Sequence, residues 1–356
     1  MTTPAAALPA RREAHEPPEA RGLARDEVRM LVATRDGLSH ARARDLPAQL
    51  RAGDVLVVNT SATLPAALPA RRADGTRLRL HLSTPDAGGD RLTDLHRDGR
   101  GTRARWVIEL RDRGERFTGG RAHERLELPQ GAHATLLAPY LAGARLWLAE
   151  LDTGSAALQD YLHEYGAPIR YGYVARDWPL SDYQTVFARE PGSAEMPSAG
   201  RPFTTRLVTD LVARGIVMAP ITLHTGVSSQ EAGEPPYPER FRVPAATARL
   251  VNAARAGGGR IVAVGTSVVR ALETAALADG RLEPAEGWTR LVVTPAEGVR
   301  AVDGLLTGWH EPEASHLLML QAVGGRPLVE SSYRAALRCG YRWHEFGDVH
   351  LILPAS

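Results

Sequence analysis

The groups in this chain whose types could do chemistry are its histidines, its arginines and a few hydroxyls at strand ends. His224 closes the apolar run Ile221-Thr222-Leu223-His224, and His310 stands in Gly308-Trp309-His310-Glu311-Pro312. An imidazole titrates near neutral pH and can act as general acid or base. A histidine at a strand end is as readily a satisfied structural group. The strongest local constellation runs from Val262 to Glu273, where an apolar strand ends at Gly265 and Thr266-Ser267-Val268-Val269-Arg270 follows. Thr266 or Ser267 can cap a helix there. The free N–H groups of such a helix start favour an anion or an electron-rich oxygen. Turns of this kind are common in α/β proteins, so the motif alone names no ligand.

Other chemistries are excluded. The chain has no lysine, and all 43 of its basic residues are arginines. There is therefore no Schiff-base lysine and no Walker A lysine. Gly257-Gly258-Gly259 precedes its strand, whereas a dinucleotide fingerprint needs its glycines between strand and helix. No G-x-S-x-G elbow is present, which argues against an α/β-hydrolase triad. The single cysteine, Cys339, rules out an internal disulfide and a cysteine-based zinc cluster, and fits a reducing compartment. His310, Glu313 and His316 have helical spacing that would suit a metal, but Pro312 breaks that face, and no metal is expected. The net charge of +2 gives little support for nucleic-acid binding, although arginine can clamp phosphates with two hydrogen bonds.

These residues need a frame to position them. At 356 residues, two domains are the sensible expectation. Residues 1–20 carry four prolines and no apolar stretch of the secretory kind, so they read as a flexible lead-in. No apolar run reaches the roughly 20 residues of a membrane helix, and the cytoplasm is the expected location. Val28–Val32 and Asp54–Asn59 read as strands, with a weak helical pattern over Ala41–Leu50. From Leu68 to Ala167, short alternating runs at Leu78–Leu82, Trp106–Leu110, Arg125–Leu128 and Ala144–Leu148 suggest a small antiparallel barrel or sandwich, closed by a helix at Tyr161–Tyr165. Beyond Asp182, strands at Ile216–His224, Arg260–Gly265, Arg290–Thr294 and Val349–Leu353 alternate with helices at Ala245–Ala254, Thr266–Ala276 and Glu313–Val323. The expected fold is an α/β core, residues 21–67 plus 168–356, with an inserted β-rich, barrel-like domain at 68–167.

Taken in order, the motifs resemble a narrower pattern. Asp182-Tyr183-Gln184-Thr185-Val186-Phe187-Ala188, Pro191-Gly192-Ser193 and Pro197-Ser198-Ala199-Gly200 are similar to the YQTVYA, PGSVA and PTAG segments of the S-adenosylmethionine:tRNA ribosyltransferase-isomerase family of queuosine biosynthesis. The resemblance continues through Thr222-Leu223-His224, Ala263–Arg270, Val302–Thr307 with Trp309-His310, and Leu317–Leu320. Upstream, Pro17–Arg21, Gly53–Asn59 and Leu68–Arg71 fit as well. The family also implies an α/β core interrupted by a β-rich domain. Its activity transfers the ribosyl part of S-adenosylmethionine onto 7-aminomethyl-7-deazaguanine in tRNA and isomerises it to epoxyqueuosine, releasing adenine and methionine. The resemblance thus implies S-adenosylmethionine as a consumed substrate, the tRNA anticodon arm as partner, no further cofactor, and a monomer or weak homo-oligomer.

That chemistry calls for particular groups. The sulfonium acidifies its neighbouring 5′ carbon, so a base must lie within reach, and the departing adenine needs a proton or a donor. The resemblance implies His224 or His310 as base or acid. It implies Asp303 and Arg270 as positioning groups, and Thr266 and Ser267 as donors at the helix end. Asn59, Tyr183, Gln184, Thr185, Gly200, Thr222 and Gly265 are the remaining implied binding residues. Several signature positions differ. The family's AGLHF reads Ala199-Gly200-Arg201-Pro202-Phe203, Val227-Ser228-Ser229-Gln230 replaces a glycine-rich stretch, and residues 235–242 replace one with histidines. These changes leave two other readings open. One is an S-adenosylmethionine-dependent transferase or lyase with a small-molecule acceptor, and the other is a non-catalytic nucleotide- or RNA-binding relative.

Overall fold

The computed structural model describes residues 12–87, 103–141, 145–227, 237–310 and 315–354. Residues 1–11 of the lead-in, the altered stretch at Ser228–Gln230 with Pro235, and Glu311–Glu313 lie outside the described residues.

The chain opens with β1 (Arg29–Thr34), antiparallel to β2 (Gly37–Arg42), followed by β3 (Val55–Asn59) and the short β4 (Ser61–Thr63). Every residue of β3 is buried, as its Val-Leu-Val-Val sequence requires of a strand covered on both faces. Alternation divides it between two cores. Val55 and Val57 join one, Leu56 and Val58 the other. Each such side chain contributes about 1.5–3 kcal/mol on burial.

The second region is a barrel of β5 (Ala67–Arg71), β6 (Arg77–Pro85), β7 (Arg103–Asp112), β8 (Glu115–Arg116), β9 (Arg125–Glu127), β10 (His133–Pro139) and β11 (Leu146–Asp152). The order β11-β10-β9-β5-β6-β7 closes on itself because β11 also pairs with β7, from Leu146 opposite Glu109 to Asp152 opposite Arg103, and β8 extends from β7. Closure removes exposed strand edges. The inside is apolar, with Leu68, Leu80, Leu82, Ile108, Leu110, Leu126 and Leu136 all buried. Helix α1 (Leu158–Tyr165) adds Leu158, Tyr161 and Leu162 to that core.

The chain then returns through β12 (Glu190–Ser193), which pairs in parallel with β4, and α2 (Thr205–Ala213). There follow β13 (Val217–Leu223), β14 (Glu239–Val243), α3 (Ala245–Ala256), β15 (Ile261–Val264), α4 (Thr266–Ala275), β16 (Ala285–Thr289) and β17 (Gly304–Gly308). Helices α5 (Ser315–Gly324) and α6 (Arg326–Cys339) and strand β18 (Val349–Leu353) complete it. The main sheet has nine strands in the order β16-β14-β13-β3-β15-β17-β18-β1-β2, with β13, β3, β15 and β17 mutually parallel. Residues of α3 to α6 pack on one face, and α2 with the turn at Ala43–Ala48 on the other. An α/β core joined to a closed β-barrel is therefore the fold. No helix among the described residues is long and apolar enough to cross a membrane.

Several sequence expectations are corrected. Ala41–Leu50 is helical only in part, and not as an α-helix. Ala41 and Arg42 finish β2, and Ala43–Ala48 forms a 3-10 turn with Pro47 inside it. The strand expected at Arg290–Thr294 is Ala285–Thr289, because β14 pairs with those residues, and Leu291 instead turns its carbonyl to Arg270. Neither Thr266 nor Ser267 caps α4. The capping position is Gly265 at φ 101°, and no side chain accepts a bond there.

Candidate active site

The parallel strands end together on one side of the sheet, which is where open α/β sheets form ligand crevices. A cavity of about 180 Å³ opens there. Its walls come from Thr225 and Gly226 after β13, Gly265, Thr266 and Ser267 after β15, and Thr307, Gly308 and His310 at the end of β17. Glu195–Ala199 after β12, Glu239 of β14, and His316 and Met319 of α5 complete it, and Thr84 of the barrel reaches in. The first-turn amides at Thr266 and Ser267 have no partner within their helix, so this corner is electropositive.

Arg270, one turn further along α4, is fixed by its surroundings. Nε donates to Leu291 O at 3.1 Å, Nη2 to Tyr237 O and Thr289 O at 3.2 Å each, and Nη1 to the Glu239 carboxylate. The second Glu239 oxygen accepts from Gly226 N at 2.9 Å. Burial pushes the Glu239 carboxyl upward, against the pull of Arg270. Arg270 therefore shapes the cavity wall by stapling β14, the end of β16 and Leu291 beyond it to α4.

His310 and His316 stack with ring centroids 4.4 Å apart and planes within 8°. Burial holds His310 well below its ordinary value, with smaller contributions from His316 and His344, and burial with Arg270 depresses His316 to about 4. Both rings are neutral at pH 7. His310 Nε2 lies 3.4 Å from Thr307 Oγ1.

His224 faces elsewhere. It lines a second cavity, of about 420 Å³, between the barrel and the edge strands of the sheet, together with Thr222, Gly192, Trp106, Arg189, Arg240, Arg242 and Glu286. Its Nδ1 is 2.7 Å from Ser61 Oγ. Burial, with Arg240 and Arg242 nearby, lowers it to about 4. The two cavities share a wall, since Thr225 lines the first and its neighbour His224 the second.

Several implied site residues instead hold the frame. Asp303 accepts from Ile261 N at 2.8 Å and ties the starts of β15 and β17. It sits at the end of β17 away from the cavity, about 13 Å off by strand rise. Gln184 bonds both backbone groups of Thr63, and Tyr183 packs against Phe346. Asn59 bonds Leu223 N and O, which locks β3 to β13. Thr185 and Gly200 pack together, and a Cβ on Gly200 would stand 3.3 Å from Thr185 Cγ2. The described residues contain no group of three or more His, Cys, Asp or Glu able to hold a metal ion. Glu195, Ser198, Thr307 and Glu239 line the first cavity without having been singled out in the sequence, although Ser198 and Thr307 lie in motifs already quoted.

The profile of a family described as queuosine biosynthesis protein matches residues 6–352. The chain belongs to this family. The S-adenosylmethionine:tRNA ribosyltransferase-isomerase of Moorella thermoacetica is 38% identical over 347 residues, covering 92% of this chain and 94% of the relative. That of Acidiphilium cryptum is 37% identical over 353 residues, covering 97% and 96%. The crystal structure of S-adenosylmethionine tRNA ribosyltransferase from Thermotoga maritima is similar with a TM-score of 0.51 and 27% identity, over 98% of both chains. In this member of the queuosine family the altered Arg201 is buried, pairs with Glu19 at 2.9 Å and donates to Asp182 O at 2.9 Å. The departure at that position is thus absorbed by a buried guanidinium with its own ion pair.

Proposed function

We propose that the chain transfers the ribosyl moiety of S-adenosylmethionine onto 7-aminomethyl-7-deazaguanine in tRNA and isomerises it to epoxyqueuosine, releasing adenine and methionine. The observation that carries this reading is the near full-length match to relatives bearing that enzyme name. The first cavity is the donor site. The open amides of Thr266 and Ser267 suit the carboxylate of the methionine end, and Glu195 offers negative charge toward its ammonium. His310, neutral at pH 7, takes the proton that the sulfonium acidifies, with Thr307 beside its Nε2. S-adenosylmethionine and tRNA as substrates support a cytoplasmic location.

The test is turnover. Purified protein with S-adenosylmethionine and tRNA carrying 7-aminomethyl-7-deazaguanine should release adenine and yield epoxyqueuosine by mass spectrometry. Adenine without a modified tRNA would mean a small-molecule acceptor or simple cleavage, and neither product would leave only a binding role. In the active enzyme, His310→Ala should lower kcat by about 10²–10⁴-fold. An unchanged kcat removes His310 from the mechanism.

A further inference from the structure

The second cavity has the chemistry of a nucleotide site. Trp106, Leu64, Pro85 and Phe241 form the apolar part of the lining of this cavity of about 420 Å³. Arg189 stands at it exposed, and its guanidinium makes no hydrogen bond or ion pair among the described residues. Arg240 and Arg242 also line it, but each already holds a carboxylate, of Glu286 and Glu190 respectively. An unpaired guanidinium beside an apolar lining suits a phosphodiester and its base.

The polarity of His224 follows from a buried relay. Ser61 of β4 and Ser193 of the adjacent β12 stand with their hydroxyl oxygens 2.6 Å apart. Ser193 Oγ accepts from Thr225 N at 3.0 Å, and Ser61 Oγ contacts His224 Nδ1. Both serines are buried, at 0% and 1% exposure. One direction satisfies every proton. Thr225 N–H donates to Ser193, Ser193 donates to Ser61, and Ser61 donates to Nδ1. The reverse leaves the Ser193 proton buried without an acceptor, a cost of about 1–3 kcal/mol. Nδ1 is therefore an acceptor, and the proton of neutral His224 resides on Nε2. That nitrogen has no partner among the described residues, and its ring borders the cavity.

We infer that the second cavity binds a nucleotide flanking the one that reacts, with its phosphodiester on Arg189, its base against the apolar lining, and His224 Nε2–H as a donor oriented by Ser61 and Ser193. This rests on the acceptor being RNA, as proposed above. His224 is then a substrate donor in its resting state, and the two serines are positioning residues.

Two measurements test it. First, affinity for the substrate tRNA is measured by filter binding across a salt series, and S-adenosylmethionine affinity by calorimetry, for the wild-type protein and Arg189→Ala. The expected result is roughly tenfold weaker tRNA binding, a log K against log salt slope shallower by about 0.7–0.9, and unchanged S-adenosylmethionine affinity. Unchanged tRNA binding, or weakened S-adenosylmethionine binding, overturns the assignment. The latter would put the donor in this cavity instead. Second, ¹⁵N spectra of the imidazoles, with the His224 signal assigned by its loss in His224→Gln, should show the Nε2–H form, and Ser193→Ala should mix the tautomers. An Nδ1–H form in the wild-type protein contradicts the relay. Binding needs no turnover, so Arg189-dependent tRNA affinity in a protein that made no product would keep this subsite and sink the proposed reaction.

Discussion

At the scale of single residues, the same polar side chain can serve a ligand or the backbone, and the structure separates the two. Arg270 and Glu239 form a buried pair whose remaining bonds all go to protein. Arg270→Ala strands a buried carboxylate, so it should cost about 3–5 kcal/mol, read from urea unfolding. A loss below about 1 kcal/mol would mean that water already reaches the pair. His350 gives a pH-dependent case. It is fully buried, stacks on Trp309 at 4.5 Å, has neither ring nitrogen bonded among the described residues, and is pushed by burial to about 3. A folded-state value below the unfolded one of about 6.5 makes its contribution present above pH 6.5 and lost as the pH falls. Relative to His350→Phe, the wild-type protein should lose about 2 kcal/mol of stability between pH 7 and pH 5. A difference that does not move with pH would mean that His350 becomes protonated inside the fold. Gly265, Thr266, Ser267 and His310, which the family resemblance implied together, do line one cavity. Asp303, Gln184 and Asn59 were not distinguishable from ligand-binding groups in sequence, because a carboxylate or amide bonded to a distant backbone leaves no local pattern. Glu239 and Glu195 left no signal either, being ordinary acids until Arg270 and the cavity meet them in space.

At the scale of elements, the buried strands were readable because continuous Val, Leu and Ile runs bounded by glycine have few alternatives. β3, β13, β15 and β18 fall close to where their residues put them. β16 did not, since Ala285-Glu286-Gly287-Trp288-Thr289 is a weak strand sequence held by its pairing with β14. β4 and β12 are similarly short and exist through each other. Gly192 of β12 leaves room for the His224 ring, since a Cβ there would stand 2.4 Å from His224 Nδ1. Gly192→Ala should displace the ring and break its bond to Ser61. The expected outcome is at least a tenfold fall in kcat/KM for tRNA with little change in melting temperature, checked by steady-state kinetics and thermal unfolding. Unaltered kinetics would show that the placement of His224 does not matter to the acceptor.

At the scale of the whole molecule, the barrel and the α/β core meet around the second cavity, while the first lies at the strand ends of the core with Thr84 of the barrel reaching into it. On the function and subsite proposed above, that arrangement sets the donor and the acceptor on either side of one thin wall. It accounts for a chain that must hold a small sulfonium compound and a long polyanion together. The organisation into an α/β core with an inserted barrel was readable from the change in strand texture near Leu68. The placement of the cavities was not, because it depends on which strands become neighbours. The most direct measurement uses S-adenosylmethionine uniformly ¹³C-labelled in its ribose, with substrate tRNA digested to nucleosides after reaction. The account predicts that the labelled carbons appear intact in the modified nucleoside, with one adenine released per nucleoside formed. Labelled ribose recovered only in small molecules, with unlabelled tRNA, would contradict it.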